Sequence, residues 1–481
     1  MTFFLILLIF LPLRLQNIDQ PLRNITSFRQ AQTATVALNF YKHGLNFFRS
    51  ELDIFGIGRE KYLTLEFPLY QAIVALLYRL FFVHDLWGRA VSVVSGFIAA
   101  YALYKSVFLL SRSHHLSVLS AFFFLAVPLN MFHQRDFLIE PTVIAGLMSA
   151  FYFYLQWVTT NQNKYWLFAV LLFSLSFVQK IMYGPFLFIP LVMFYIRKNK
   201  LKSVFRWKFI LSLIIPIAFY LIWQKQADML NISHNQTYFT SSNFRHLEWN
   251  FGLLADRLSA SLWQFRMNNF LNGIFLKPGL MLFLIGIISF YRYPGWRFFY
   301  IWLFSEILYF LVFFRIQSHI YYQMIISPIT SVFLAAGLAK MANLKIHKIL
   351  NNLLISLIAA FFLWRSIISS DWDASLDLAW YNRLMTVGKA VSNQKYGLLV
   401  NPGYDWNSVY TYYPRLKLLT LSSENFTEPN LNKWKNQGYS YVILHRYREF
   451  PAALPEFLNS YKNILQLEDF KVYLLHEKST L

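Results

Sequence analysis

The residues that could do chemistry in this chain stand where apolar stretches end. Carboxylates occur at Asp19, Glu51, Asp53, Glu60 and Glu66 in one polar connection and at Asp136 and Glu140 in the next. Lys180 closes an apolar run just ahead of Gly184 and Pro185, where the chain can break and expose polar groups, and Arg315, His319, Tyr321 and Tyr322 gather in a later connection. A carboxylate so placed can take a proton from a hydroxyl nucleophile, and cations or hydroxyls can hold an anion as it leaves. Each also has a structural reading. Glu140 with Pro141 fits the first turn of a helix, Asp136 beside Arg135 fits a self-contained ion pair, Lys180 fits a snorkelling lysine, and the two tyrosines fit an interfacial aromatic belt. The chain has no cysteine, which excludes disulfides, thiolate zinc sites and a cysteine nucleophile. No GxGxxG, Walker A loop, HExxH or GxSxG is present, so a nucleotide-cofactor domain is unsupported. No ligand spacing demands a metal either, although a divalent cation bridging Asp136 or Glu140 to an anion is left open by the residue types.

The elements that must position these residues belong to a membrane. Hydrophobic residues make up 57% of the chain and charged ones only 14%, a balance at which a soluble domain would aggregate. The net charge of +21 comes from Lys and Arg in short loops between apolar runs rather than from one basic face, so anionic lipid headgroups fit it better than nucleic acid. With about 20 apolar residues needed per crossing, spans are expected near 2–16, 88–110, 117–133, 141–158, 165–180, 182–196, 208–223, 279–291, 298–314, 322–340 and 348–364. Five short connections between them carry thirteen Lys or Arg and no acid: Arg112; Lys164; Arg197, Lys198, Lys200, Lys202, Arg206 and Lys208; Arg292 and Arg297; and Lys340, Lys345 and Lys348. Of the 23 acidic residues only Glu306 falls inside an apolar stretch, where an ionised side chain needs a partner or a proton. Because basic loops are retained in the cytoplasm, the acid-bearing segments are expected to face outward. Parity then makes 67–83 an amphipathic helix lying in the outer interface rather than a twelfth span. The first segment lacks a basic start and a small-residue cleavage site, which reads as an uncleaved helix with its N-terminus inside.

Three outward regions are then large enough for chemistry: 17–87, 224–278 and the tail from 365. In the tail a helix near 372–392, strands at 396–400, 416–421 and 439–445, and a hairpin from Ile464 to His476 predict a small α/β domain. The expected architecture is therefore an α-helical polytopic membrane protein, residues 1–364, of about eleven spans with outer juxtamembrane helices, followed by an outward α/β domain, residues 365–481. The sequons at Asn24, Asn231, Asn235 and Asn425 are weak signals, since such triplets arise often by chance.

The short first span, the loop reading FRQAQTATVALNFYKHG and then EFPLYQ, the outward Glu140-Pro141, and HIYYQMIISPI at 319–329 resemble the bacterial branch of the protein O-mannosyltransferase superfamily. That superfamily includes the aminoarabinose lipid A transferases and related lipopolysaccharide glycosyltransferases of the GT-C type. The resemblance covers roughly residues 1–345 as an order of elements. It implies transfer of a sugar from a polyprenyl-phosphate carrier to a lipid, glycan or protein acceptor on the outer face of the cytoplasmic membrane. It also makes Glu140 and Lys180 counterparts of an acid and a lysine seen in relatives, with Lys180, Arg135, Arg315, His319, Tyr321 and Tyr322 as candidates for the carrier phosphate.

One position departs from the pattern. Where bacterial relatives usually read Arg-Gln-x-Asp-Thr, this chain has Arg29-Gln30-Ala31-Gln32-Thr33, and an amide cannot accept a proton as a carboxylate can. The acceptor proton is then expected to go to Glu66, which directly precedes the interfacial helix, or to the Asp136/Glu140 pair. A lipid-linked-oligosaccharide flippase or other transporter would also be polytopic and basic inside, but transporters tend to carry internal repeats, and none is found. A noncatalytic glycan-binding scaffold is the third reading, to which Gln32 lends weight.

Overall fold

The computed structural model describes residues 2–22, 26–342, 348–370, 378–403, 406–450 and 456–478. Helices form at every expected span: α1 (Thr2–Leu15), then, after α2 (Ser27–His43) and α3 (Leu69–Leu80), α4 (Asp85–Ser111), α5 (His114–Ala126) with α6 (Pro128–His133), α7 (Glu140–Thr160), α8 (Asn163–Gln179), α9 (Gly184–Asn199) and α10 (Trp207–Ser233). The second long connection folds into α11 (Phe244–Phe251), α12 (Leu254–Leu258) and α13 (Ala260–Phe270), and the bundle closes with α14 (Pro278–Ser289), α15 (Trp296–Val312), α16 (Ser327–Ala342) and α17 (Lys348–Ser370).

Among the described residues six helices are by themselves long and apolar enough to cross a membrane, and a seventh if Ala260–Phe275 and Pro278–Arg292, bent by 81° at their junction, act as one. The expected span at 117–133 is broken because Pro128, lacking an N–H, restarts the helix after an extended Val127. The expected span at 208–223 instead runs on to Ser233 as one 27-residue helix. The segment 67–83 forms a helix of only 12 residues, about 18 Å long. It buries Tyr70, Ala72, Val74 and Ala75 and leaves Leu76 and Leu80 exposed.

Small residues let the bundle close. A Cβ on Gly286 would lie 1.9 Å from the Phe333 carbonyl oxygen, and one on Gly337 would lie 1.9 Å from that of Leu282. Helices α14 and α16 therefore meet backbone to backbone, a contact that only small residues permit.

In the tail, α18 (Leu378–Ala390) precedes β1 (Gly397–Asn401), and α19 (Val409–Tyr412), β2 (Leu418–Ser422), α20 (Glu428–Asn436), β3 (Tyr441–His445), β4 (Tyr461–Gln466) and β5 (Phe470–Lys478) follow. The sheet order is β2-β1-β3-β5-β4, with β1 parallel to β2 and β3, and β5 antiparallel to β3 and β4. Strands, helices and hairpin thus fall where the alternation predicted; of the expected helix at 372–392, residues 372–377 lie outside the described residues. The tail is not free of the bundle. The first long connection adds to the β2 edge, with Leu418 N donating to Asp53 O at 2.8 Å and Gly56 N to Leu418 O at 2.8 Å. The Tyr412 and Tyr413 hydroxyls each donate to Asp85 at the start of α4 at 2.6 Å. One hydrophobic core joins α2 and α3 to the tail through Leu52, Ile54, Tyr78, Leu384, Leu418 and Ile443.

Candidate active site

Four helix ends and one loop converge on the side of the bundle that carries the tail. Helix α8 ends at Gln179. Lys180 follows in an extended conformation, a 3₁₀ turn spans Ile181–Tyr183, and α9 begins at Gly184. The corner is tight: a Cβ on Gly184 would lie 1.7 Å from the Phe177 ring. The Lys180 side chain is thereby turned inward, 4% exposed, with its ammonium 2.9 Å from Glu140 and 3.0 Å from Glu66.

Glu140 is the first residue of α7, wholly buried at 0% exposure. Glu66 is held by the backbone on either side of it. Phe67 N donates to Val178 O at 3.1 Å, Trp223 Nε1 donates to Leu65 O at 3.3 Å, and Asn231 brackets Thr64, accepting from its N–H at 2.9 Å and donating to its carbonyl at 2.8 Å. Asn231, one of the sequon asparagines, is thus a buried structural pin. The second cation on Glu66 is Arg29 in the first turn of α2, whose guanidinium donates to it and also, at 3.2 Å, to the Gln32 side-chain oxygen. Charges therefore alternate as Arg29, Glu66, Lys180, Glu140. Burial alone would raise the Glu66 carboxyl, but Arg29 and Lys180 outweigh it and hold the group well below the usual carboxylate range.

Aromatic rings close the other side. The Lys180 ammonium lies 4.6 Å from the centre of the Tyr322 ring, a cation–π contact, and Tyr321 packs on Tyr322 at 4.6 Å. His319 lies 5.6 Å from Phe28, 5.2 Å from Trp249 and 5.7 Å from Tyr321. Burial, reinforced by Arg29 and Lys180, lowers the His319 imidazole to about 4, so the ring is neutral at physiological pH. A cleft lined by Arg29, Gln32, Thr33, Ser50, Glu66 and Gln71 opens beside this cluster.

Of the candidates taken from the sequence, Gln32, Glu66, Glu140, Lys180, His319, Tyr321 and Tyr322 come together here. The others stand apart. Asp136 accepts from Thr26 at 3.1 Å and pairs with the buried His133 at 2.8 Å, and Arg135 donates to the Gln16 carbonyl at 3.1 Å. Arg315 faces Glu248 at 2.6 Å and Asp256 at 3.4 Å, tying the second long connection to the end of α15. Two residues were not singled out for chemistry. Arg29 was visible only as part of its motif, at the i, i+3 spacing from Gln32 that puts both on one helix face. Tyr183 carries a fully buried hydroxyl without a hydrogen-bond partner among the described residues, its ring 6.5 Å from that of Tyr322; nothing in its sequence context sets it apart from a belt tyrosine. Among the described residues no group of three His, Asp or Glu could hold a metal ion.

Comparison with known proteins bears on the fold. Residues 66–223 match the dolichyl-phosphate-mannose-protein mannosyltransferase family, a segment that holds Glu66, Glu140 and Lys180 but begins after the Arg29–Gln32 motif. No curated protein sequence matches the chain. Among solved structures, ArnT from Cupriavidus metallidurans bound to undecaprenyl phosphate superposes with a TM-score of 0.66 at 11% identity, covering 98% of this chain and 97% of that one; its apo state gives 0.66 at 12%. The likeness thus extends through the tail, beyond the residues 1–345 expected from sequence. The mycobacterial arabinofuranosyltransferase AftD superposes with a TM-score of 0.51 at 11% identity, covering 99% of this chain and 40% of that one. The chain is a multi-pass membrane protein with the fold of the GT-C glycosyltransferases.

Proposed function

We propose that the protein transfers a sugar from a polyprenyl-phosphate donor to a hydroxyl of a lipid, glycan or protein acceptor on the outer face of the cytoplasmic membrane. The observation that carries this reading is the alternation Arg29–Glu66–Lys180–Glu140 at helix ends beside an open cleft. A lipid-borne phosphate lies at headgroup depth, and helix ends at that depth are where cations can meet it. The ArnT structure captured with undecaprenyl phosphate supports a polyprenyl donor.

In this reading Lys180 and Arg29 receive the donor phosphate, with Tyr183 and Tyr322 hydroxyls completing its shell. The bond between the anomeric carbon and the phosphate oxygen breaks, a bond from that carbon to the acceptor oxygen forms, and the polyprenyl phosphate leaves. The proton goes to Glu66. Without donor, Glu66 is a poor base because two cations hold it ionised. A phosphate that draws those cations away raises the proton affinity of Glu66 only when the substrate is in place, and Gln32 orients the Arg29 fork that makes the exchange. Glu140 keeps Lys180 charged and fixed.

The test is turnover of undecaprenyl-phosphate sugars by the purified protein. Glu66→Gln should abolish transfer while retaining donor binding, and Glu140→Gln should weaken donor binding. Full transfer by Glu66→Gln would remove Glu66 as the base, and a wild type inert toward every polyprenyl-phosphate sugar tried would favour a glycan-binding scaffold.

A further inference from the structure

A second cavity lies on the far side of the wall that bounds the cleft. The wall is the pair of chain segments joined by the antiparallel bridge Glu51–Tyr62. Ser50, Leu52 and Leu63 face the cleft, whereas Glu51, Lys61 and Tyr62 face the second cavity. That cavity is half-open, with a volume of about 380 Å³, within the range of small-molecule sites. Its floor is the end of α2, at Asn39, Phe40 and His43, and its remaining sides are Arg49 and the tail residue Lys417.

The charges do not balance. Glu51, 4% exposed, is the sole carboxylate lining it among the described residues, and it is already shared by Lys61 at 3.2 Å, Lys417 at 3.4 Å and His43 at 3.4 Å. Arg49 adds a guanidinium that has no ion-pair partner among the described residues. In the surrounding shell Lys42 and Arg415 outnumber Asp53. One buried carboxylate thus serves as fixed counter-ion to an excess of cations that converge from two separate parts of the chain. Phe40 and Tyr62 supply ring faces, and Asn39 and Asn46 supply amides. This is the chemistry of a saccharide that carries an anionic group.

We infer that this cavity binds a phosphate- or carboxylate-bearing saccharide, the anionic part of the acceptor, seated between Lys61, Lys417 and Arg49. The inference rests on the transferase reading only for the word acceptor; the binding site stands on its own geometry. From Gln32 to Asn39 along α2 is seven residues, about 10 Å, so an acceptor anchored here could present a hydroxyl to the cleft roughly two sugar units away. The junction of tail and bundle then becomes part of the site, since Lys417 reaches it only because the first long connection pairs with β2.

Binding to the full-length protein in detergent tests this by calorimetry with lactose 1-phosphate, lactose and inorganic phosphate, and in nanodiscs with a phosphorylated glycolipid. Lactose 1-phosphate should bind at least about tenfold more tightly than lactose or phosphate alone, and Lys417→Met and Lys61→Met should each weaken it about tenfold, the scale of one charge-assisted contact. Glu51→Gln, which removes the competing carboxylate, should tighten it. Glycolipid binding that weakens equally in Lys417→Met identifies a lipid headgroup as the source of the anion, and binding of the soluble sugar alone identifies a soluble one. Equal affinity for lactose and its phosphate, or lysine variants that bind as wild type does, would overturn the site. Undecaprenyl phosphate binding by the wild type, measured separately, reports on the donor cleft, so failure of either reading is seen without the other.

Discussion

Removing the ammonium of Lys180 should expose how the cluster is held. Lys180 lies 2.9 Å from Glu140, which is 0% exposed and pairs with no other cation among the described residues. At that separation the attraction is about 6 kcal/mol at an effective dielectric of about 20. Stranding one member of such a buried pair costs about 3–5 kcal/mol after relaxation. Glu66 suffers less, because Arg29 remains beside it. Lys180→Met, close in length and apolar, should therefore lower the melting temperature of the detergent-solubilised protein markedly, and the double variant Lys180→Met/Glu140→Gln, which removes the stranded charge, should recover at least half of the loss. Donor affinity should not recover: both variants lack one charge-assisted contact to the phosphate, about 1.5–3 kcal/mol, or roughly 10- to 150-fold in Kd. Thermal unfolding and binding of undecaprenyl phosphate, measured on the same preparations, separate the two effects. If Lys180→Met melts as wild type does, or if the double variant melts no higher than the single one, Glu140 does not depend on Lys180. If both bind undecaprenyl phosphate normally, Lys180 is not a phosphate ligand.

Gln32→Asp should change turnover by less than about a hundredfold, the low end of what a positioned general base contributes, because Glu66 already serves; a larger gain would show that the amide has replaced the working base. His319 titrates near 4 in the folded protein against 6.5 in an unfolded chain. As pH falls from 6.5 the unfolded state takes the proton first, so stability should decline between about 6.5 and 4, and His319→Asn should flatten that part of the pH–melting profile; an unchanged slope would mean the ring is not buried as described. The absence of cysteine gives a clean labelling background: a cysteine at His84, which caps the start of α4, should react with an impermeant reagent from outside, and one at Ser113, beyond its other end, should not. Labelling of the two from the opposite sides would reverse the orientation.

Much of the fold was legible because lipid imposes a coarse code. Apolar runs of the right length and thirteen cations sorted into five short loops set the order of helices. The code fails where the backbone departs from a straight helix. Residues 260–278 belong to what reads as an outer loop, yet they fold into α13 and a bend against α14, which turns at Leu276 and Lys277, both at positive φ, ahead of Pro278, while Arg266 packs among Trp263, Phe310 and Phe314. The site was legible in its residue types but not in its pairings. Lys180 was conspicuous because a cation at that end of a span breaks the charge pattern. Arg315 was conspicuous as a cation following a span end beside His319 and the two tyrosines, yet it is committed to Glu248 and Asp256, residues 59 or more positions away whose approach depends on how the second connection folds. Asp136, adjacent to Arg135 in sequence, reaches beyond that neighbour to the buried His133 and to Thr26 of another element. Sequence adjacency favours pairs that a loop can satisfy locally. The pairs that matter for an anionic substrate join Arg29 to Glu66 and Lys180 to Glu140 across different elements, and only the packed bundle selects them.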